Sequence, residues 1–219
     1  MISAAGSCAA DGGVAGPADE VIDLYNRRAA DWDADRSRSL FERPWLDRFL
    51  IHVPPQGQVL DLGCGSGEPV ARYLIEQGRT ITGVDAAPGL VDLCIQRFPG
   101  HDWIIADMRG LDLGRSFDGL IAWHSVFHLD PEAQRGMFDV YARHLKPGGV
   151  LMFTSGTEEG AVIGEWRGEP LYHGSLSVSA YRAGLKAVGF EVLAQVENDP
   201  DCGGANVWLA LRTGGRMGE

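Results

Sequence analysis

The chain has 219 residues, of which 45% are hydrophobic, and this suits one sizeable hydrophobic core and is short for two. The formal net charge of -11 opposes tight binding to a polyanion, so we expect no nucleic-acid partner. The four cysteines lack C-x-x-C spacing, so we expect reduced thiols and no metal site. The sequence shows neither the pattern of a secretory signal nor an apolar run of membrane-spanning length, so we expect no membrane partner and a cytoplasmic location.

The N-terminal part divides into a small-residue tail and a helical segment. Residues 1–17 are mostly Ala, Gly and Ser and cannot bury enough apolar surface to offset the cost of ordering, which predicts a disordered tail. From residue 18 apolar residues recur at helical spacing, and a second helix is predicted over 43–51, ending before Pro54 and Pro55. Two helices are therefore expected before the first strand.

An apolar strand then runs into three alternating glycines and a helix. Gly63, Gly65 and Gly67 allow backbone conformations closed to other residues and remove the Cβ atoms that would keep a ligand off the main chain. A dinucleotide fingerprint needs glycine where this chain has Glu68, and the strand carries Asp61, so two carboxylates would repel a pyrophosphate. They suit a ligand with cationic groups and no phosphate, such as S-adenosylmethionine (SAM).

Strands and helices alternate through the middle of the chain. Predicted strands cover 58–62, 80–84, 102–105, 118–123 and 149–154, and predicted helices cover 68–77, 88–98, 131–144 and 179–188. This alternation predicts parallel pairing with right-handed crossovers. The second strand ends in Asp85, where an acid accepts the two hydroxyls of a ribose. Two further segments, 190–197 and 205–211, follow and are joined by a turn-rich stretch.

Five motifs occur in order: VLDLGCGSGEP, TGVDAAP, IIADMRGLDL, FDGLIAWHSVFHL and LKPGGVLMF. Together they resemble the motifs of class I SAM-dependent methyltransferases, over roughly residues 20–212. The resemblance implies an α/β fold, a Rossmann-like doubly wound sheet of about seven strands that is mostly parallel with one antiparallel strand near the C-terminus. It also implies that 18–55 is a helical lid, that 56–212 is the SAM-binding core and that 213–219 is a flexible C-terminus.

The cofactor site is expected at the carboxyl ends of the strands, where ligands of open α/β sheets bind. The amino-acid part of SAM should meet the strand-end acid and the glycines, the ribose should meet Asp85 with Ala86, and the resemblance puts Asp107 and Met108 beside the adenine. The candidate cofactor residues are Asp61, Gly63, Cys64, Gly65, Asp85, Ala86, Asp107, Met108 and Ala122, with Tyr25, Trp32 and Arg36 from the lid.

Some of these residues have structural alternatives. The alternative role of Asp61 is structural, as a strand-end acid that caps the amides of the loop. The alternative role of Asp107 is that of a turn former. Tyr25 and Trp32 could be ordinary core residues, and Arg36 could lie on a solvated surface.

Two histidines are candidate catalytic residues. His124 and His128 follow the fourth strand, which the topology puts beside the transferred methyl group. Methyl transfer requires alignment of donor and nucleophile and, if the nucleophile carries a proton, a base, which histidine provides near neutral pH. Relatives often carry histidine at the position of His128, so a scaffold role is the alternative there, and either histidine could be purely structural.

Residues 155–174 lack a clear period and are predicted to be a long loop, a kind of segment that is usually functional or disordered. The loop mixes aromatic and charged residues, as substrate-binding walls do. The candidate substrate residues are Glu165, Trp166, Tyr172 and His173 of this loop, together with Trp123 at the end of the fourth predicted strand.

The sequence thus predicts an enzyme that moves a methyl group from SAM to an oxygen or nitrogen of a small organic metabolite by direct displacement, leaving S-adenosylhomocysteine. A monomer or homodimer is expected. The alternatives are an RNA or protein methyltransferase of the same fold, a non-catalytic SAM-binding protein and a nicotinamide oxidoreductase. Glu68 and Asp61 weaken the last of these.

Overall fold

The computed structural model describes residues 17–213, with the side chains of residues 17–19 excepted. The expected disordered tail therefore lies outside the described residues apart from Pro17, which begins the first helix. The expected flexible C-terminus lies outside them apart from Thr213. Within the described part of the chain, no helix is both long enough and apolar enough to cross a membrane.

The helices and strands follow one another in a largely alternating order. The helices are α1 (Pro17–Arg27), α2 (Ala29–Asp35), α3 (Arg43–Leu50), α4 (Val70–Glu76), α5 (Pro88–Arg97), α6 (Pro131–His144) and α7 (Val178–Ala187). The strands are β1 (Gln58–Leu62), β2 (Thr80–Asp85), β3 (Asp102–Ile105), β4 (Phe117–Ala122), β5 (Leu145–Ser155), β6 (Gly160–Trp166), β7 (Glu169–Ser175), β8 (Phe190–Asp199) and β9 (Ala205–Arg212). Short 3-10 helices cover Val126–His128 and Pro200–Cys202.

Seven strands form one sheet in the order β3-β2-β1-β4-β5-β9-β8. The five strands β1 to β5 pair in parallel, whereas β9 pairs antiparallel with both β5 and β8. This confirms the predicted Rossmann-like α/β sheet with one antiparallel strand near the C-terminus. The strand order reverses between β1 and β4, and in open α/β sheets ligands bind outside the carboxyl ends of the strands at such a point.

Helices cover both faces of the sheet, so its central strands are nearly continuous apolar runs. Along β1, Leu60 and Leu62 are buried with α6 and α7, whereas Val59 is buried on the other face with α3 and α4. This is the alternation that a strand imposes on successive side chains. The carboxyl ends of β1, β2 and β4 are thereby held at one edge of a rigid layer.

The N-terminal segment has three helices where two were predicted. Arg28 leaves the helical region, with φ -114° and ψ 23°, and separates α1 from α2. The apolar spacing continues across this residue, so the sequence pattern could not reveal the break.

The predicted long loop over 155–174 is wrong. Strands β6 and β7 pair antiparallel as a separate two-stranded sheet, with Trp166 opposite Glu169. The two turn residues between them, Arg167 and Gly168, have φ values of 53° and 80°, as tight hairpin turns of the primed types require. Most β6 side chains are exposed, including the adjacent Val162 and Ile163, so no alternation of buried and exposed residues marked the strand.

Candidate active site

The glycine loop after β1 depends on backbone conformations that favour glycine. Gly63, Gly65 and Gly67 have φ values of 73°, 55° and 76°. A Cβ atom on Gly63 would lie 2.3 Å from Cβ of Ser125. Ser125 Oγ in turn donates a hydrogen bond of 2.7 Å to the carbonyl of Leu62. The end of β1 is thus tied to the segment that follows β4, and the contact leaves no room for a side chain at residue 63.

Asp85 at the end of β2 holds this loop in place. Its Oδ2 accepts from the amide of Gly65 at 2.9 Å, and its Oδ1 accepts from the amide of Ala87 at 2.9 Å. Burial raises the pKa of Asp85, and the hydrogen bonds from backbone amides oppose that rise. The amide-capping role considered for Asp61 is therefore performed by Asp85.

Asp61 lies in the same region and is only 3% exposed. Burial, and to a lesser extent the charge of Asp85, raise the pKa of Asp61 to about 7. No amide or side chain in the described part of the chain donates a hydrogen bond to its carboxylate. A cation bound between the two acids would favour the ionised form of both.

Two adjoining cavities open beside the loop. The larger, of about 680 Å³, brings together most of the predicted cofactor residues: Tyr25, Trp32, Gly63, Gly65, Asp85, Ala86, Asp107 and Met108. A narrower cavity of about 410 Å³ is lined by Arg36, Asp61 and Cys64 of the predicted set, together with Trp123. Ala122, also predicted to contact the cofactor, is instead fully buried in the core beneath the site.

Asp107 accepts hydrogen bonds from Arg109, two residues further along the chain, as a turn-forming residue would. Its Oδ1 accepts from the amide of Arg109 at 2.8 Å, and its Oδ2 accepts from Arg109 Nε at 2.8 Å. Because Asp107 also lines the larger cavity, both the turn-forming role and the ligand-facing role are compatible with its position.

Arg36 is held by a residue that the sequence analysis missed. Its guanidinium forms an ion pair with Oε1 of Glu42, whose side chain is completely buried and whose Oε2 has no hydrogen-bond partner in the described part of the chain. A buried carboxylate requires a cation, so Glu42 fixes Arg36 at the narrow cavity and excludes the solvated position considered for it. Glu42 lies in an irregular stretch before α3, where no spacing could have identified it.

His128 links α1 to the hairpin. Its Nδ1 donates to the carbonyl of Tyr172 at 3.0 Å, because a carbonyl can only accept, and its Nε2 therefore accepts from the hydroxyl of Tyr25 at 3.0 Å. Burial lowers the pKa of His128 to about 3, so the ring is neutral. With both nitrogens engaged, His128 is suited to hold the surrounding elements rather than to accept a proton.

His124 is situated differently. It has a positive φ of 50°, and its amide donates to Thr154 Oγ1 at 2.8 Å. The ring packs edge-on against Trp123 and Phe127, and no hydrogen bond to its nitrogens comes from the described residues. Burial and the nearby charge of Arg36 lower the pKa of His124 to about 4. A neutral imidazole with free nitrogens is thus presented to both cavities.

A third, open cavity of about 1000 Å³ adjoins the site at His124. We call it the acceptor chamber, after the role that we propose for it below. Its walls are the hairpin β6–β7, the end of β5 and residues 203–205, and His124, Phe127 and His173 also line it. The neutral ring of His124 therefore stands between the two cavities beside the glycine loop and this chamber.

The other predicted substrate residues lie outside the chamber. Tyr172 is buried against Val21 and its neighbours on α1, and Trp166 packs against Tyr25 and Trp32. Glu165 is exposed, and Trp123 is buried with an indole Nε1 that lacks a hydrogen-bond partner in the described part of the chain. Of the five, His173 alone lines the chamber.

The tip of the hairpin, residues 166–169, is attached to α1 and α2 by opposite charges. Arg167 pairs with Asp31 at 2.9 Å and with Asp35 at 2.8 Å. Glu169, the first residue of β7, pairs with Arg27 at 2.9 Å and with Arg28 at 2.8 Å. These contacts join residues more than 130 positions apart, so no local sequence signal could have indicated them.

Comparison with known proteins agrees with this architecture. Residues 59–149 match a family described as a methyltransferase domain. A malonyl-[acyl-carrier protein] O-methyltransferase from Serratia marcescens is 29% identical over 62% of this chain and 52% of its own length. A dTDP-4-amino-2,3,4,6-tetradeoxy-D-glucose N,N-dimethyltransferase from Saccharopolyspora spinosa is 26% identical over 59% of this chain and 50% of its own length. The chain thus spans about half the length of these curated relatives.

Solved structures share the fold at lower identity. CalS10, a SAM-bound amino pentose methyltransferase from Micromonospora echinaspora, superposes with a TM-score of 0.67 at 22% identity, covering 85% of this chain and 96% of its own. KedS8, a sugar N-methyltransferase from Streptoalloteichus sp ATCC 53650, gives a TM-score of 0.67 at 20% identity, covering 98% and 100%. The resemblance to class I SAM-dependent methyltransferases is thereby confirmed at the level of domain and fold.

Proposed function

We propose, from the premise that this chain carries a methyltransferase domain on the class I SAM-dependent fold, that it transfers a methyl group from SAM to an oxygen or nitrogen of a small organic molecule. One observation carries the proposal. The cradle formed by Gly63 and Gly65 opens, beside the carboxylates of Asp61 and Asp85, onto cavities that meet the acceptor chamber at a neutral histidine.

The residues present fit SAM. Asp61 supplies a buried negative charge for the ammonium and sulfonium, and Asp85 has lone pairs left for the ribose hydroxyls. Arg36 and the unpartnered Nε1 of Trp123 are donors for the carboxylate of the ligand, and Met108 is an apolar contact for the base. A diphosphate would find two acids here, so the donor set favours SAM over a nicotinamide dinucleotide.

We further propose the division made from the sequence: residues 18–55 cover the cofactor, and 56–212 form the core that binds it. Tyr25 and Trp32 on α1 and α2 line the larger cavity, which supports this assignment. The contacts of Tyr25 with His128 and of the hairpin tip with α1 and α2 would hold the cover in its place.

Catalysis would rest mainly on alignment. When bound, the sulfonium supplies an electrophilic methyl group, and the chain must direct the acceptor atom at it along the line of the breaking bond. His124 stands where the cavities meet and is neutral above its lowered pKa, so it can orient the acceptor or receive its proton. His128 would act by positioning, since both of its nitrogens are occupied.

The test of the cofactor assignment is calorimetry with SAM, S-adenosylhomocysteine and NAD. Asp85→Asn keeps the shape of the side chain, removes its charge and replaces one of the two oxygens that accept from backbone amides with an NH2 group. These changes together should weaken SAM binding by about 10- to 150-fold. Asp112→Asn is the matched control, because Asp112 also accepts from the amide two residues on, Gly114, but lies outside the site. NAD binding as tight as SAM binding, or an unchanged affinity in Asp85→Asn, would contradict the proposal.

A further inference from the structure

The acceptor chamber is acidic. Its charged lining residues are Glu158 and Glu159, exposed at the bend before β6, and neither forms an ion pair with a described residue. No lysine or arginine from the described part of the chain lines it. An acceptor entering this chamber from solvent therefore first meets negative charge that nothing in the wall neutralises.

The two histidines that line the chamber, His124 and His173, are uncharged. Burial lowers the pKa of His173, and burial together with the charge of Arg36 lowers that of His124, so both rings are neutral at pH 7. The ring nitrogens of His124 lack a protein hydrogen bond within the described residues. Since His124 also lines both cofactor cavities, this polar group faces the space between donor and acceptor.

These charges discriminate between classes of acceptor. A carboxylate would lose hydration in the chamber without gaining a cation, and a diphosphate-linked sugar would bring two such charges. The dTDP-linked compound named for one relative is therefore poorly matched to this wall. A small cation is drawn toward the glutamates instead, because a cleft lined by one sign of charge concentrates ligands of the other.

We propose that the methyl acceptor is a small free amine that is a cation in solution, attracted to the mouth of the chamber by Glu158 and Glu159 and methylated on nitrogen beside His124. The ammonium first loses a proton to water, because only the neutral amine has a lone pair. That lone pair forms the nitrogen–carbon bond as the carbon–sulfur bond breaks. The sulfonium becomes a neutral thioether, and the methylated ammonium carries the positive charge away. This inference rests on the proposed function.

The experiment first measures SAM binding, then offers four probes with mass detection of methylation: benzylamine, benzoate, phenol and a dTDP-linked amino sugar. We expect benzylamine to be methylated with the highest kcat/KM. The double substitution Glu158→Gln with Glu159→Gln should raise the KM for benzylamine by about 3- to 30-fold while kcat changes less than about twofold. Added salt should raise the KM in the wild type and much less in this variant.

The control for net charge is Glu191→Gln with Glu197→Gln, which removes two exposed acids of β8 outside the chamber and should leave the KM unchanged. Preference for benzoate, phenol or the dTDP-linked sugar would overturn the inference, as would an unchanged KM in the chamber variant. So would a protein that binds SAM yet leaves benzylamine unmethylated. Absence of SAM binding would instead overturn the proposed function.

Discussion

The glycine loop and the β6–β7 hairpin bound the candidate site from two sides, and different interactions hold them. The loop is fixed by three positive φ angles and by the backbone contacts of Ser125 and Asp85 at the sheet edge. The hairpin tip is held to α1 and α2 by ion pairs of side chains that are partly exposed, such as Arg167, whose side chain is 40% exposed. Exposed ion pairs contribute about 0 to 1 kcal/mol each and weaken with salt.

This difference suggests a division of roles. The side that would bind the cofactor has no freedom to adapt without breaking the sheet edge. The side that would admit the acceptor is attached by interactions that can be made and broken singly. The predictions below test this division, beginning with the change of largest expected effect.

Gly63→Ala should be the most damaging substitution. Alanine at this position would have to keep an unfavourable φ of 73°, and its methyl group would overlap Ser125. We therefore expect a loss of about 2 to 4 kcal/mol in the free energy of unfolding and loss of SAM binding. Gly114→Ala is the matched control, because Gly114 has a φ of 64° with nothing near its Cβ position. Its loss should be about 1 kcal/mol. Equal losses in the two variants, measured by urea unfolding, would show that the contact with Ser125 is unimportant.

Affinity for SAM should depend on pH through Asp61. Its pKa of about 7 in the free protein should fall when a cation binds, so binding releases a proton below pH 7. Affinity should then decrease by up to about tenfold per unit as the pH falls from 7 to 5, and should be level above 7.5. Calorimetry in two buffers of different ionisation enthalpy measures the released proton. Asp61→Asn should lose most of this dependence, whereas a profile identical to the wild type would exclude Asp61 from the binding site.

The raised pKa of Asp61 should make the stability of the free protein fall as the pH rises, whereas the affinity for SAM should rise. The unfolded chain titrates Asp61 near its ordinary value, so the protonated carboxyl favours the folded state at low pH, and this contribution is lost as the pH rises through about 7. Asp61→Asn should therefore stabilise the free protein more at pH 8 than at pH 5, as chemical unfolding at the two pH values would measure.

Tyr25→Phe should have an intermediate effect. The substitution leaves Nε2 of His128 enclosed without a donor, which costs about 1 to 3 kcal/mol, and should weaken SAM binding by roughly 5- to 100-fold if α1 must be held in place for binding. Tyr73→Phe removes a hydroxyl that bonds Asp47, away from the site, and serves as the control. Comparable affinities for SAM in both variants would count against a positioning role for the contact between Tyr25 and His128.

Arg167→Ala should have the smallest effect on stability, within about 1 kcal/mol, because the ion pairs that it breaks are exposed. Its signature should be local: amide hydrogens of α1 and α2 should exchange faster. Added salt should accelerate that exchange less than in the wild type, because of the ion pairs at the hairpin tip only those of Glu169 with Arg27 and Arg28 remain to be screened. Arg135→Ala breaks an exposed pair on α6 and should leave the exchange of α1 and α2 unchanged. Unaltered exchange in Arg167→Ala would show that the hairpin tip does not restrain these helices.

What the sequence could predict follows the same division. The glycine loop, the acids that follow the strands and the alternation of strand and helix are local patterns. They predicted the sheet, and most of the residues that they single out for the cofactor line the two cavities beside the loop. Ala122 was the exception, since counting along β4 cannot tell which way a buried side chain faces. The hairpin was missed because it packs on helices distant in the chain and leaves Val162 and Ile163 exposed, so no alternation marked β6.

The contact partners of the two histidines were equally beyond local reasoning. His124 and His128 lie four residues apart and look alike in sequence. One presents free ring nitrogens to the cavities, whereas the other is fixed between Tyr25 and the carbonyl of Tyr172. The difference arises from α1 and β7, which meet His128 only in the folded chain. For the same reason Glu42 gave no signal, because its role depends on the burial that brings Arg36 to it.

The hydrogen-bonded chain from Tyr25 through His128 to Tyr172 has a consequence for how the two sites respond to each other. Tyr25, at one end, lines the larger cavity beside the glycine loop. Tyr172, at the other end, lies on β7 and is followed by His173, which lines the acceptor chamber. A ligand in either cavity that shifts these hydrogen-bonded residues would change the free energy of ligand binding in the other cavity. Thermodynamic reciprocity then requires that any factor by which SAM tightens binding of the acceptor equals the factor by which the acceptor tightens binding of SAM.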